Sequence, residues 1–148
     1  MKDQLEQVRL FMKAVKQETP AGVKIPSEEV LALRMRLTFE ETKEFRNACR
    51  AGDIVEMVDG LADRMYVLLG DFAACGVSGE LAVKLFNEVQ RSNMTKLDEN
   101  GIAIMDEMGK VLKPAHFSRP ELKKVLIDYI NGTAEDYILE EGVKDDVQ

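Results

Sequence analysis

The chain holds one histidine, two cysteines and no surplus of positive charge among its 148 residues. Each shortage removes a class of chemistry. A single histidine, His116, cannot furnish the Glu-x-x-His pairs of a ferritin-like di-iron bundle. Cys49 and Cys75 lack the spacing of a metal site, so two reduced core thiols are expected. A net charge of -7 argues against a grip on a phosphate backbone, and no nucleic-acid partner is expected. No apolar run reaches the roughly 18 residues of a membrane span, and MKDQLEQVRLF has no signal-peptide layout. No membrane partner and a cytoplasmic setting follow as expectations. Internal repeats and low-complexity segments are not evident either.

What is present suits a folded enzyme-sized unit. The composition is 45% hydrophobic and 32% charged, enough for a core without staples. One domain over 1–148 is expected, with its core at about 3–131 and a tail at 133–148. Leu5, Val8, Phe11, Met12 and Val15 fall at helical spacing within residues 3–17, and ETPAGVKIP forms a loop over 18–26. Ser27 reads as an N-cap, and its helix runs to about Arg50, where Gly52 stops it. Asp53 caps the next helix, with Glu56 placed as a capping-box partner, and that helix reaches about Cys75. After GVSG a fourth helix runs from near Gly79 to about Leu97. Two short apolar patches with turn-like glycines then predict a small hairpin or irregular loop near 98–117. Ser118-Arg-Pro-Glu121 reads as a capping box opening a helix to about Ile130, ended by Asn131-Gly132. The tail has room for one more turn before a frayed GVKDDVQ. The fold class is all-α, a bundle of about four main helices with a C-terminal helix.

The acids of TFEETKEF then stand out. At about 100° per residue, Glu40, Glu41 and Glu44 share an arc with Val30, Leu33, Leu37 and Ala48. Most of the bases, Arg36, Lys43 and Arg50 among them, lie elsewhere. An ordinary amphipathic helix does the reverse. On the next helix Glu56, Asp59 and Asp63 form one stripe, and no Lys or Arg lies four residues from any of them. A short turn makes the two helices antiparallel neighbours. Residues equidistant from it lie level, which pairs Glu44 with Asp59, Glu40 with Asp63 and Asn47 with Glu56. Bare carboxylates cannot crowd a half-buried contact, because each uncompensated charge costs several kcal/mol. Protons or divalent cations must compensate, and a carboxylate-only set favours Mg²⁺, with Mn²⁺ as a substitute. Two plainer readings compete: a solvated acidic face, and for Glu56 a purely structural capping role.

A second polar line lies on the fourth helix. Ala82, Phe86 and Val89 define an inward line that Asn93 and Lys96 continue, with Arg91 nearby. As a functional feature this is a phosphate clamp, to which Lys110 and Lys113 of the following loop could add. As a structural one, Lys96 complements the helix dipole and Asn93 marks fraying.

Taken together, Glu40-Glu41-x-x-Glu44, then Glu56-x-x-Asp59 with Asp63, then RSNMTKLDENG and GKVLKPAHFSRPEL resemble the all-α NTP pyrophosphohydrolases of the MazG and dimeric-dUTPase kind. Within them the chain looks most like the phosphoribosyl-ATP pyrophosphohydrolase-like branch, over roughly residues 28–122. The resemblance implies Mg²⁺-dependent cleavage between the α and β phosphates of a nucleoside triphosphate, dUTP or a non-standard nucleotide among the candidates. It implies Glu41, Glu44, Glu56 and Asp59 as metal ligands, with the second pair either Glu56 and Asp59 or Asp59 and Asp63. Glu40 would be a further ligand or orient the attacking water. Arg91, Asn93 and Lys96 would hold phosphate or nucleotide, and a homodimer or homotetramer is implied. Two other classes remain in view: a non-catalytic nucleotide- or metal-binding regulator, and a purely structural bundle. Phosphoribosyl-ATP is a further substrate option.

Overall fold

In the computed structural model the described residues are 1–132; the tail expected at 133–148 lies outside them. They are all-helical: α1 Lys2–Ala14, α2 Glu28–Ala51, α3 Ile54–Ala74, α4 Gly79–Met94 and α5 Leu122–Gly132. No single helix among them is long and apolar enough to cross a membrane. The chain divides into two compact units, one spanning Met1–Gly79 and one beginning at Glu80.

In the first unit α3 packs against both α2 and α1. The core is small: Leu5, Val8 and Met12 of α1 meet Leu69, Ala73 and Ala74 of α3, with Val30 and Phe72 against them. Phe11 and Val15, expected on the same inward face, are exposed. Arg9 ties this end together by donating to the carbonyls of Pro20 and Val77. The helix boundaries follow the caps. Ser27 accepts from the Val30 amide at 3.4 Å, and Gly52 ends α2 in the left-handed region at φ 69°. Asp53 Oδ1 accepts from the amides of Val55 and Glu56 at 3.0 and 3.1 Å. Cys49 is exposed and Cys75 only partly covered, so neither is the core thiol expected.

The α2–α3 contact is close because α3 offers glycines. A Cβ on Gly60 would lie 3.0 Å from the Phe45 Cα, and one on Gly70 would lie 2.8 Å from the Arg34 guanidinium carbon. Arg34 is only 8% exposed. Its Nε donates to Asp71 Oδ1 at 2.7 Å, and its terminal nitrogen donates to the Val67 carbonyl.

In the second unit α4 turns Leu81, Ala82 and Ser92 inward, while Phe86 is 62% exposed. The buried line is therefore displaced by one residue from the expected Ala82–Phe86–Val89 line, and Asn93 is exposed rather than a continuation of it. Long-range bonding fixes this rotation, since Ser92 Oγ donates to the Ser118 carbonyl at 2.8 Å. The α-helix ends at Met94, and Thr95, Lys96 and Leu97 continue with amide bonds reaching three residues back. The expected capping box at Ser118 does not form. Its amide donates instead to Thr95 Oγ1 at 3.0 Å, and α5 opens at Leu122. The loop between is more regular than its sequence suggested. Leu97 bridges Ala103, and Met105 bridges Val111. In each turn an aspartate, Asp98 or Asp106, accepts from the amides two and four residues on. A glycine with positive φ, Gly101 or Gly109, closes each turn. A short repeat, Asp-Glu-x-Gly, is thus written twice.

Candidate active site

Glu41 points into the α2–α3 contact. Its Oε2 is buried and accepts no hydrogen bond. Burial, and then the charges of Asp63, Glu44, Glu40 and Asp59, raise its pKa above the ordinary carboxylate value. Asp63 is the foremost of these charges. Glu40, Glu44, Asp59 and Asp63 are exposed around it. Toward the interhelical turn, Glu44, Asn47, Glu56 and Asp59 line a groove of about 500 Å³ floored by Ala48 and Gly60. All six acids expected from the sequence therefore lie along this one contact.

None of the six is ion-paired among the described residues. Arg64, the base nearest to Asp63 in the chain, stacks over the Phe45 ring at 4.8 Å. The structural alternative for Glu56 is half met. Asp53 caps its amide, but the Asp53 amide donates to the Ala48 carbonyl at 3.1 Å and not to the Glu56 side chain. The Glu56 carboxylate is thus left facing the groove.

An orphaned carboxylate oxygen amid four like charges is the donor set a hard divalent cation suits. As the side chains stand, no three of them among the described residues close on one point. Five of the six are exposed and make no side-chain hydrogen bond among the described residues, so they are free to turn toward an ion that gathers them.

The five expected phosphate contacts lie in the second unit, and its structure sorts them. Arg91 is committed: it donates to both oxygens of Glu88 at 2.7 and 2.9 Å, and to Ser118 and the Arg119 carbonyl. Glu88, held by Arg91 and by the Glu121 amide, is lowered to about 2. Asn93 accepts from Lys96 Nζ at 2.7 Å. Lys96 and Lys113 both lie over the Phe117 ring, at 5.9 and 5.1 Å. Lys110 is exposed, with its amide bound by Asp106. Sequence reasoning noted Arg34 beside the Glu41 edge and Gly70 in line with the acid stripe, but gave neither of them, nor Asp71, a role. The signal was there in a lone base on the same face as Glu41, two helical turns away.

No curated protein is similar enough to the chain to count as a match. Residues 6–93 match the phosphoribosyl-ATP pyrophosphohydrolase family, a span that holds all six acids together with Arg91 and Asn93. That span is more than half of the sequence and starts earlier than the resemblance alone marked out. The chain belongs to the phosphoribosyl-ATP pyrophosphohydrolase family, within the MazG-like all-α NTP pyrophosphohydrolases, and is a hydrolase of acid anhydrides acting on a nucleotide-like substrate.

Proposed function

We propose that the protein is a Mg²⁺-dependent pyrophosphohydrolase that cleaves the α–β bond of a nucleoside triphosphate, releasing the monophosphate and pyrophosphate. The observation that carries this is the buried, unpartnered Glu41 oxygen among Asp63, Glu44, Glu40 and Asp59. Glu41, Glu44, Asp59 and Asp63 would hold Mg²⁺ or Mn²⁺, with Glu56 at the groove end of the set. When bound, the ion offsets the charge of the carboxylates and polyphosphate together and polarises the phosphoryl oxygens. Glu40, exposed beside Glu41, takes the proton of the attacking water as its oxygen bonds to the α phosphorus. The bond from that phosphorus to the bridging oxygen breaks, and the pair of electrons leaves with pyrophosphate. Lys96 and Lys113, which make no ion pair among the described residues as Arg91 does, are assigned to binding phosphate, with Asn93 and Lys110 as accessory contacts.

Two substrate readings share this chemistry. A dNTP or non-standard nucleotide, dUTP included, needs only the triphosphate end that the acids recognise. Phosphoribosyl-ATP presents the same triphosphate, and the family match favours it. A panel of NTPs, dNTPs and phosphoribosyl-ATP with Mg²⁺ or Mn²⁺, scored for pyrophosphate and monophosphate, separates them. Orthophosphate with a diphosphate product overturns α–β cleavage. Tight binding with no turnover on any nucleotide means a regulator.

The active form in this reading is a homo-oligomer. Ile54, Val58, Leu61, Met65 and Leu68 of α3 are all 47% or more exposed, and so are Leu31, Met35 and Phe39 of α2 at 42% or more. At about 100° per residue the α3 stripe lies nearly opposite Glu56, Asp59 and Asp63. The acids thus turn toward α2 and the large apolar side chains turn out. Together these side chains offer on the order of 800 Å² per copy, the size of a standard interface.

A further inference from the structure

We propose that Arg34 is a positioning residue for the acidic cluster: its guanidinium, seated against Gly70, sets the register in which α2 presents Glu41 to Asp59 and Asp63. This rests on the reading of that cluster as the metal site. Arg34 is buried, and its guanidinium is paired with Asp71 rather than with an acid of the cluster. Its two partners, the Val67 carbonyl and Asp71, are both on α3 and follow Asp63 at steps of four. On α2, Glu41 follows Arg34 by seven residues, so the lock and the acid share one face.

Two close approaches run along the contact, Arg34 against Gly70 and Phe45 against Gly60, and Glu41 and Asp63 fall between them in the two helices. A slip of one residue shifts a helix by about 1.5 Å and turns it by about 100°. Either movement would carry Glu41 away from Asp63. Arginine suits the task because its planar fork reaches a carbonyl and a carboxylate at once, which a lysine ammonium cannot do in fixed geometry. A partly buried ion pair is weak evidence for stability, so specification of register is the better account of this one.

The full-length chain is compared as wild type, Arg34→Lys, Arg34→Met and Gly70→Ala, with Val8→Ala in the α1–α3 core as a control for general destabilisation. Two quantities are read: Mn²⁺ affinity by electron paramagnetic resonance, and the nuclear Overhauser contact between the Hα protons of Phe45 and Gly60. The three lock variants are expected to bind Mn²⁺ at least tenfold more weakly and to lose the Phe45–Gly60 contact, while Val8→Ala keeps both. Arg34→Lys retains the charge and keeps the test open if the other two do not fold. Mn²⁺ affinity within twofold of wild type, or an intact Phe45–Gly60 contact, in folded lock variants overturns the proposal. If the wild type itself binds no Mn²⁺, the metal reading falls, and the Phe45–Gly60 contact alone decides whether Arg34 sets the register.

Discussion

At the scale of the residue, Glu41 is where the chain accepts a cost. Its pKa is raised, so folding favours its protonated form. That contribution is present below the ordinary carboxylate value near 4.5 and is lost as pH rises through the raised one. At neutral pH without a cation the charge is a burden. Glu41→Gln should therefore stabilise the metal-free protein at pH 7 by up to about 1 kcal/mol. The advantage should vanish below about pH 4, as urea melts in a chelating buffer would show. The same variant should need about 10- to 100-fold more Mg²⁺ for turnover, read from the Mg²⁺ dependence of pyrophosphate release. The six acids were legible because steps of three and four residues force them onto one face. That Glu41 is the member turned inward was not, since helical spacing does not say how closely Gly60 lets α3 approach α2.

At the scale of the element, Glu88 and Arg91 join the end of α4 to residues 118–121, beside the Ser92 and Thr95 bonds to Ser118. Glu88 is lowered to about 2, so its contribution is present above about 4.5 and is lost as pH falls toward 2. Hydrogen exchange of the Glu121 amide, which donates to Glu88 Oε1 at 2.7 Å, should be constant from pH 7 to 5 after correction for the intrinsic rate. Its protection should fall between about 4.5 and 2. Arg91→Ala should remove the pH dependence and leave the amide weakly protected throughout. The ends of α2 and the start of α3 were readable because Ser27, Gly52 and Asp53 act on their own neighbours. The rotation of α4 and the start of α5 were not. The Ser92 hydroxyl satisfies the Ser118 carbonyl across 26 residues, and no local pattern announces such a bond. The repeated Asp-Glu-x-Gly turns were visible in the letters but too short to register as a repeat.

At the scale of the molecule, the first unit has its polarity reversed along α3: glycines and acids against α2, large aliphatic side chains outward. A second copy covering the outward face, as proposed, would make stability depend on concentration. Leu61→Glu or Met65→Glu should yield a smaller species by light scattering after gel filtration, with a lower midpoint of thermal unfolding. Both lie nearly opposite the acid stripe, so an unchanged mass in both would remove this face from the interface. The net charge of -7 would help keep the separated copies in solution.

Gly60 and Gly70 bring α2 and α3 together, yet what they exclude differs. At Gly60 an added methyl meets the main chain of Phe45, which moves only if a whole helix moves. At Gly70 it meets a guanidinium, the far end of a flexible side chain, which can swing aside at the expense of its own hydrogen bonds. Enlarging residue 60 therefore asks a main chain to give way and enlarging residue 70 only a side chain, and a lineage that gave up the arginine would be free to enlarge the second glycine while the first still pressed on Phe45.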